Sequence, residues 1–166
     1  MLSIKKITRL QFINVFIFFI FLISFFIFFL FGSINQNNSY HNFADNRTFF
    51  NIPNTFNVLS NLGFLLLGVI GIIHCIKNQQ KHPVWLIFFI GIVLVSFGST
   101  YYHANPTNFT LLIDRLPMTI GFMSLFTGII YEFVSYKIGR ILVTPLLILG
   151  IISVIYWYEF DDLRFY

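Results

Sequence analysis

Five long apolar stretches follow one another along the chain, with short polar segments between them. They cover about residues 10–31, 54–76, 84–102, 116–136 and 138–158. A transmembrane helix needs about 20 mostly apolar residues to span about 30 Å of hydrocarbon, and each stretch reaches that length. The pattern therefore predicts an all-α fold, a polytopic transmembrane bundle of about five helices.

Composition agrees with this pattern and excludes several classes of protein. The chain is 57% hydrophobic and 10% charged, whereas soluble domains carry about 25% charged residues. The single cysteine, Cys75, excludes an internal disulfide framework. The net charge of +4 comes from Lys and Arg residues scattered between the apolar segments. Loop charges of a membrane protein explain that distribution better than a nucleic-acid partner does.

The first apolar stretch is predicted to be an uncleaved anchor. Lys5, Lys6 and Arg9 precede it, as in a signal peptide, but its apolar core of about 20 residues exceeds the usual 7–15 and no small-residue cleavage site follows. We expect two parts: residues 1–33, with a cytoplasmic end and the anchor helix, and a membrane domain over 34–166.

The flanking charges predict the orientation, because cytoplasmic loops of membrane proteins are enriched in Lys and Arg. The amino terminus is placed in the cytoplasm. Residues expected on the same side are Lys77, Lys81, His82, Lys137 and Arg140. Residues expected outside are Asp45, Arg47, Asp114, Arg115, Glu159, Asp161, Asp162 and Arg164. The pattern predicts an integral cell-membrane protein whose carboxyl terminus is extracytoplasmic.

A polar stripe opens the second predicted helix. Asn54, Asn57 and Asn61 are three and four residues apart, so they share one helical face, and Ser60 lies beside them. Polar groups within hydrocarbon face the bundle interior or a functional cavity. One interpretation is that these amides bond to neighbouring helices and hold the bundle together. The other is that they support a site.

A second polar group lies at the end of the third helix. Ser99 and His103 are at i and i+4, so both side chains project from one face, and Asp114 follows His103 after eleven residues. If the connection is short, all three lie at the same outer membrane face. Such a set could bind a metal, or polarise a water and a carbonyl. The alternative for His103 alone is an ordinary interfacial histidine.

Other polar residues are weaker candidates. His74 and His82 lie at the inner face, where interfacial side chains are expected. Glu132, near the inner end of the fourth helix, is expected to reach the interface or to pair with Lys137.

Taken together, these motifs resemble the alkaline ceramidase family of intramembrane hydrolases. The resemblance lies in 54–61, the Ser99-x-x-x-His103 spacing and Asp114, and it extends over about residues 40–166. The stretches 40–61, 114–118 and 162–164 look like the bacterial branch. The wider superfamily includes the progestin and adiponectin receptors.

The resemblance implies a function and a site. Members of the family are seven-helix bundles that hydrolyse the amide bond of ceramide to a sphingoid base and a fatty acid. His103 matches a zinc ligand, which acts with two histidines on the last helix. Ser99 matches the group that stabilises the oxyanion, and Asp114 matches the group that handles protons. We therefore expect zinc as cofactor and a ceramide-like lipid as substrate, with Asn54, Asn57, Ser60 and Asn61 as supporting residues.

Two departures limit the resemblance. The chain supplies four of the family's seven helices after the added anchor, and no histidine follows His103. Two zinc histidines are therefore expected from a missing carboxyl-terminal segment or a second polypeptide. The region that matches the family's calcium site offers Asp45 and Asn54 without an acidic cluster, so calcium is doubtful. The alternative is a catalytically incomplete, lipid-binding or receptor-like membrane protein. A transporter gains no support, because no paired broken helices or inverted repeat is seen.

Overall fold

A computed structural model describes residues 9–78 and 83–166 of the chain. Within these ranges it contains five α-helices and no β-strand. The helices are α1 (Arg9–Leu30), α2 (Thr55–Lys77), α3 (Val84–Ala104), α4 (Asn108–Ile129) and α5 (Tyr136–Phe160). A turn of π-helix, Ile130–Val134, joins α4 to α5. The predicted all-α class and the number of helices are confirmed.

Four of these helices, α2 to α5, are long and apolar enough to cross a membrane. The chain is therefore an integral membrane protein. Helix α1 has 22 residues and lies in a compact unit that ends at Ile34, whereas α2 to α5 lie in a second unit, Asn35–Tyr166. The role of α1 as an anchor stays a prediction.

The bundle is built by packing helices that are consecutive in the chain, α2 on α3, α3 on α4 and α4 on α5. Small residues let these helices approach closely, as is common between helices in membranes. A Cβ placed on Gly91 would lie 2.9 Å from the backbone nitrogen of Gly121. The backbones of α3 and α4 are thus nearly in contact at that level.

The prediction that the fourth helix begins near residue 116 is wrong, because α4 begins at Asn108. Thr107 precedes it and forms a capping box with Thr110. Its hydroxyl accepts a hydrogen bond from the Thr110 backbone at 3.1 Å, and the Thr110 hydroxyl accepts one from the Thr107 backbone at 3.0 Å. Asp114 and Arg115 therefore lie inside α4 rather than in an outer loop.

Pro117 is also inside α4, although proline usually ends a helix. It has no N–H to donate to the carbonyl of Ile113, one turn earlier. Membrane helices tolerate such a proline when neighbouring groups satisfy the free carbonyl. In a sequence, two charged residues followed by a proline are typical of a loop, and this explains why the start of the fourth helix was predicted too late.

A small core forms at the end of the bundle that contains the connection 105–107, hereafter the site end. Its members are Tyr102, Leu111, Val154 and Trp157, all at most 2% exposed. They come from α3, α4 and α5, so they hold the three helices together beside the polar groups.

At the opposite end of the bundle, Glu132 accepts a hydrogen bond from the indole nitrogen of Trp85 at 2.6 Å. The structure thus gives Glu132 a partner on α3, not the expected Lys137. Lys5, Lys6, Lys81 and His82 lie outside the described residues. The predicted membrane orientation stays a prediction.

The capping box yields a testable prediction. Thr107→Ala removes the side-chain acceptor at the start of α4, and we expect it to lower the free energy of unfolding by about 0.5–2 kcal/mol. Thermal unfolding of the purified protein in detergent measures this change. Thr107→Ser, which keeps the hydroxyl, is the control and should stay near the wild type. Equal stability of Thr107→Ala and wild type would contradict the role of the cap.

Candidate functional site

The turn between α3 and α4 brings the predicted site residues to the same end of the bundle. Only residues 105–107 separate the two helices, as the expectation of a short connection required. A Cβ on Gly98 would lie 2.7 Å from the carbonyl oxygen of Ile113 and 3.0 Å from the Cα of Asp114. The turn of α3 that carries Ser99 therefore lies directly against the turn of α4 that carries Asp114.

These side chains are withdrawn from the surface and incompletely paired. Ser99 and Asp114 are buried, and His103 is half-buried. Within the described residues, His103 Nδ1 and Asp114 Oδ1 are buried with no hydrogen-bond partner. Three further buried atoms of the described chain are also unpaired, at this end or deeper in the bundle, namely Arg115 Nη1, Ser124 Oγ and Trp157 Nε1. Most buried polar atoms have a partner, so the unpaired atoms of His103 and Asp114 mark places suited to a ligand, a water or an ion. An imidazole nitrogen can bind a metal, and a carboxylate can accept a proton.

The side chains that could bind zinc here supply only part of a zinc site. Structural and catalytic zinc ions have at least three protein ligands. In the parts of the chain that the structure describes, no group of three or more His, Cys, Asp or Glu residues could hold a metal ion. His103 can supply one ligand, and the remaining ones would have to come from outside these residues.

Asn54 connects the site to the beginning of α2. It lies just before the helix, in the left-handed conformation with φ 50°, and its side-chain nitrogen donates to the backbone carbonyl of His103 at 2.8 Å. The bond joins the start of α2 to the end of α3. Asn54 is therefore the N-cap residue of α2, although its side chain forms no hydrogen bond to that helix. It does not lie on the helical face that it was predicted to share with Asn57 and Asn61.

The rest of the polar stripe bonds within its own helix. The amide of Asn61 and the hydroxyl of Ser60 both donate to the carbonyl of Asn57, at 3.0 Å and 2.7 Å. Asn61 is buried, Asn57 is half-buried and Ser60 is exposed. The interpretation that these amides hold neighbouring helices together is correct for Asn54 and wrong for Asn61.

Sequence reasoning missed the contribution of the segment before α2. The His41 ring lies 3.0 Å from the hydroxyl of Tyr102 and 2.9 Å from the side-chain oxygen of Asn108. The Phe43 ring covers His103, with 4.6 Å between centroids. These residues belong to a polar loop that the hydrophobic pattern treats as a connection. The sequence carried two signals for this segment, its histidine and aromatic residues in a loop otherwise rich in Asn, and the resemblance of residues 40–61 to the family.

Arg115 is held among aromatic rings instead of facing water. Its guanidinium lies 4.1 Å from the ring centre of Trp157 and 4.6 Å from that of Tyr166, and it donates to the Gln36 side chain at 2.9 Å. Cation–π contacts of this kind stabilise a desolvated cation. Burial is the main cause that raises the pKa of Tyr166, and the positive charge of Arg115 opposes it.

Asp45 caps α2 and has no free oxygen for a calcium ion. One carboxylate oxygen accepts from Arg47 Nε at 2.7 Å, and the other accepts from the backbone of Phe56 at 2.8 Å and of Asn57 at 3.3 Å. The hydrogen bond from Arg47 is the largest cause that lowers the pKa of Asp45, with burial opposing it. Calcium needs six to eight oxygen ligands, and the doubt about a calcium site stays a prediction.

Comparison with known proteins gives one match. A protein-family model described as Ceramidase matches residues 48–165, which is well over half of the chain. The matched stretch contains α2 to α5 with Asn54, Ser99, His103 and Asp114. No curated protein and no solved structure matches significantly.

The capping role of Asp45 predicts a pH dependence. A carboxylate whose pKa is lowered in the folded state contributes stability above its unfolded value of about 3.9, and loses it as the pH falls through the lower folded value. Asp45→Asn should therefore be less stable than wild type at neutral pH, and the difference should shrink below about pH 4. Thermal unfolding across this range measures it, with exposed Glu159→Gln as control. A difference that does not change with pH would contradict the assignment.

The close contact at Gly98 gives a second prediction. Gly98→Ala places a methyl against the α4 backbone, so the helices must separate beside Asp114, at a cost of about 1–3 kcal/mol. Unfolding in detergent measures the loss. Gly63→Ala on α2 is the matched control, since its Cβ would meet nothing within 4 Å. Similar stabilities for the two variants would show that the contact is not tight.

Proposed function

The chain belongs to the ceramidase family, and we propose that it acts as a membrane amidohydrolase on ceramide-like lipids. The products would be a sphingoid base and a fatty acid. The observation that supports the proposal is that the α3 turn of Ser99 lies against the α4 turn of Asp114, one turn from His103, with a ring nitrogen and a carboxylate oxygen left unpaired. Amide hydrolysis needs a base for the attacking water and a donor for the oxyanion, roles that suit Asp114 and Ser99. It also needs a group that polarises the carbonyl, which a metal ion bound by His103 would supply.

Each residue has a separate role in the proposal. Asp114 accepts the proton of the attacking water through its unpaired Oδ1 and passes it to the leaving nitrogen. Ser99 donates its hydroxyl to the oxygen on which negative charge develops. Asn54 and Phe43 hold the end of α3 and the His103 ring in place. The protein groups thereby orient the amide and exclude bulk water.

In this proposal His103 is one of three histidine ligands to zinc. The other two would come from a segment outside this sequence or from a second polypeptide, because the described residues supply no group of three metal ligands. When bound, zinc lowers the pKa of a water towards 7 and polarises the carbonyl. The unpaired Nδ1 of His103 supports the role of that side chain as a ligand.

The incomplete ligand set also favours a second candidate function, a lipid-binding or receptor-like protein without hydrolytic activity. In that case the polar cluster would hold the lipid head group by hydrogen bonds alone. Binding of ceramide that survives both His103→Ala and Asp114→Ala, without any release of fatty acid, would favour this candidate over the hydrolase.

The test compares His103→Ala with His74→Ala in membranes from cells that produce the protein from its own genetic locus. His74 is an exposed histidine near the other end of α2, where it lies 3.0 Å from the Asn78 side chain, so it is a matched control. We expect His103→Ala to lose both zinc, measured by elemental analysis of the purified protein, and fatty-acid release from ceramide. His74→Ala should keep its zinc.

Ser99→Ala separates catalysis from metal binding. We expect it to keep zinc and to lower kcat by about 10²-fold or more, because it removes one donor to the oxyanion. Equal zinc content in wild type and His103→Ala would refute the ligand assignment. Absence of ceramide hydrolysis by the zinc-loaded wild type would refute the hydrolase.

A further inference from the structure

The polar faces of three helices continue into an apolar groove. On α3, Val95 lies one turn from Ser99, and Phe88 lies eleven residues from it, which is about three turns of 3.6 residues. On α4, Met118 and Leu125 have the same spacing from Asp114. These four residues line one groove, together with Phe64 of α2, which follows Asn61 by three residues.

The groove has a volume of about 290 Å³. From Val95 to Phe88 it follows α3 for about 10 Å, at 1.5 Å per residue. All of its lining residues lie within the helices that are long enough to cross the membrane. It therefore begins one helix turn from Ser99, near the middle of α3, and continues towards the start of that helix.

A second apolar groove extends this path. It shares Phe64, Phe88 and Ile92 with the first, has a volume of about 460 Å³, and continues between α2 and α3 towards His74. The two grooves therefore adjoin at these three side chains.

A third apolar groove, between α4 and α5, has a volume of about 450 Å³, close to that of the second. Its lining on α4 does not lie on the face that carries Asp114. It is lined by Met123 and by residues of α5 such as Leu149. Met123 follows Asp114 by nine residues, which is two and a half turns and puts it on the opposite side of α4. Continuity with the polar cluster distinguishes the groove between α3 and α4.

We propose that this groove binds one alkyl chain of the amide lipid, and that Gly121 determines how long a chain it accepts. The proposal rests on the proposed function for the identity of the polar head. A lipid in a bilayer keeps its polar head at the interface and its chain towards the midplane. The order of polar residues followed by apolar lining along α2, α3 and α4 complements such a molecule.

Gly121 is the position on α4 at which an added side chain would narrow the groove. It lines the groove, and a Cβ placed on it would meet only Ile92 Cδ1, at 3.9 Å. A larger side chain there fills space that a lipid chain would occupy. Gly63 on α2 is exposed, and a Cβ on it would meet nothing within 4 Å, so it accepts the same substitution away from the groove.

The first experiment measures occupancy, using the full chain in lipid nanodiscs and ceramide analogues with a photoreactive group midway along the acyl chain. In the wild type, we expect crosslinks to concentrate on the α3 and α4 peptides that contain Val95 and Met118. Gly121→Leu should reduce these crosslinks about tenfold or more for a palmitoyl analogue and much less for a hexanoyl analogue. Gly63→Leu should match the wild type.

Two outcomes would overturn the proposal. Crosslinks spread evenly over the lipid-facing helices would show ordinary contact with bulk lipid. Crosslinks that Gly121→Leu leaves unchanged would show that the chain lies elsewhere, for instance between α4 and α5. Gly121→Ala adds only a methyl and raises helix propensity, so it should shift the preference in the same direction by a smaller factor even if the leucine variant folds poorly.

The second experiment compares hydrolysis of palmitoyl and hexanoyl ceramide by the same variants. Gly121→Leu should lower kcat/KM for the long chain relative to the short chain by about tenfold or more. If the wild type hydrolyses neither lipid, the proposed function fails, and the crosslinks still decide whether the groove is occupied. If it hydrolyses both and Gly121→Leu does not change the ratio, the groove proposal fails and the function stands.

Discussion

The close contact of α3 and α4 at Gly98 is the constraint on which the candidate site depends. Because Gly98 has no side chain, the backbone of α3 lies against Ile113 and Asp114 of α4. This contact brings a serine and an aspartate from separate helices to one level of the bundle. The capped connection at Thr107 keeps the following helix in register with the preceding one. A larger residue at Gly98 would separate the two halves of the polar cluster.

At the site end, three groups of α3 and α4 have partners in the segment before α2 or at the beginning of that helix. Asn54 donates to the His103 carbonyl, Gln36 accepts from Arg115, and His41 lies beside the Tyr102 hydroxyl. The segment before α2 thus stabilises the end of the bundle that holds the candidate site. Against this background, the unpaired atoms of His103 and Asp114 are conspicuous. They are the atoms that the proposed reaction uses.

The same helices combine polar and apolar chemistry along their length. Near the connection of α3 and α4 the facing side chains are polar, and one turn further they become the apolar lining of a groove. A ceramide-like lipid has the same order of a polar amide followed by an alkyl chain. The proposed class of substrate follows from membership of the ceramidase family, and this arrangement suits the same class. The described residues supply no group of three metal ligands, so in the proposal the zinc ligands beyond His103 come from outside them.

The amino-acid sequence by itself determined the helical membrane class, because hydropathy and length depend only on local composition. The positions of α2, α3 and α5 and the spacing of Ser99 and His103 were predictable for the same reason. Only the tertiary structure decided where α4 begins. In the sequence, an Asp and an Arg followed by Pro117 are typical of a loop, whereas in the structure both charged residues are buried and aromatic rings surround the Arg115 cation. It also decided the partners of Asn54 and the proximity of His41, because both depend on loop contacts between residues distant in sequence.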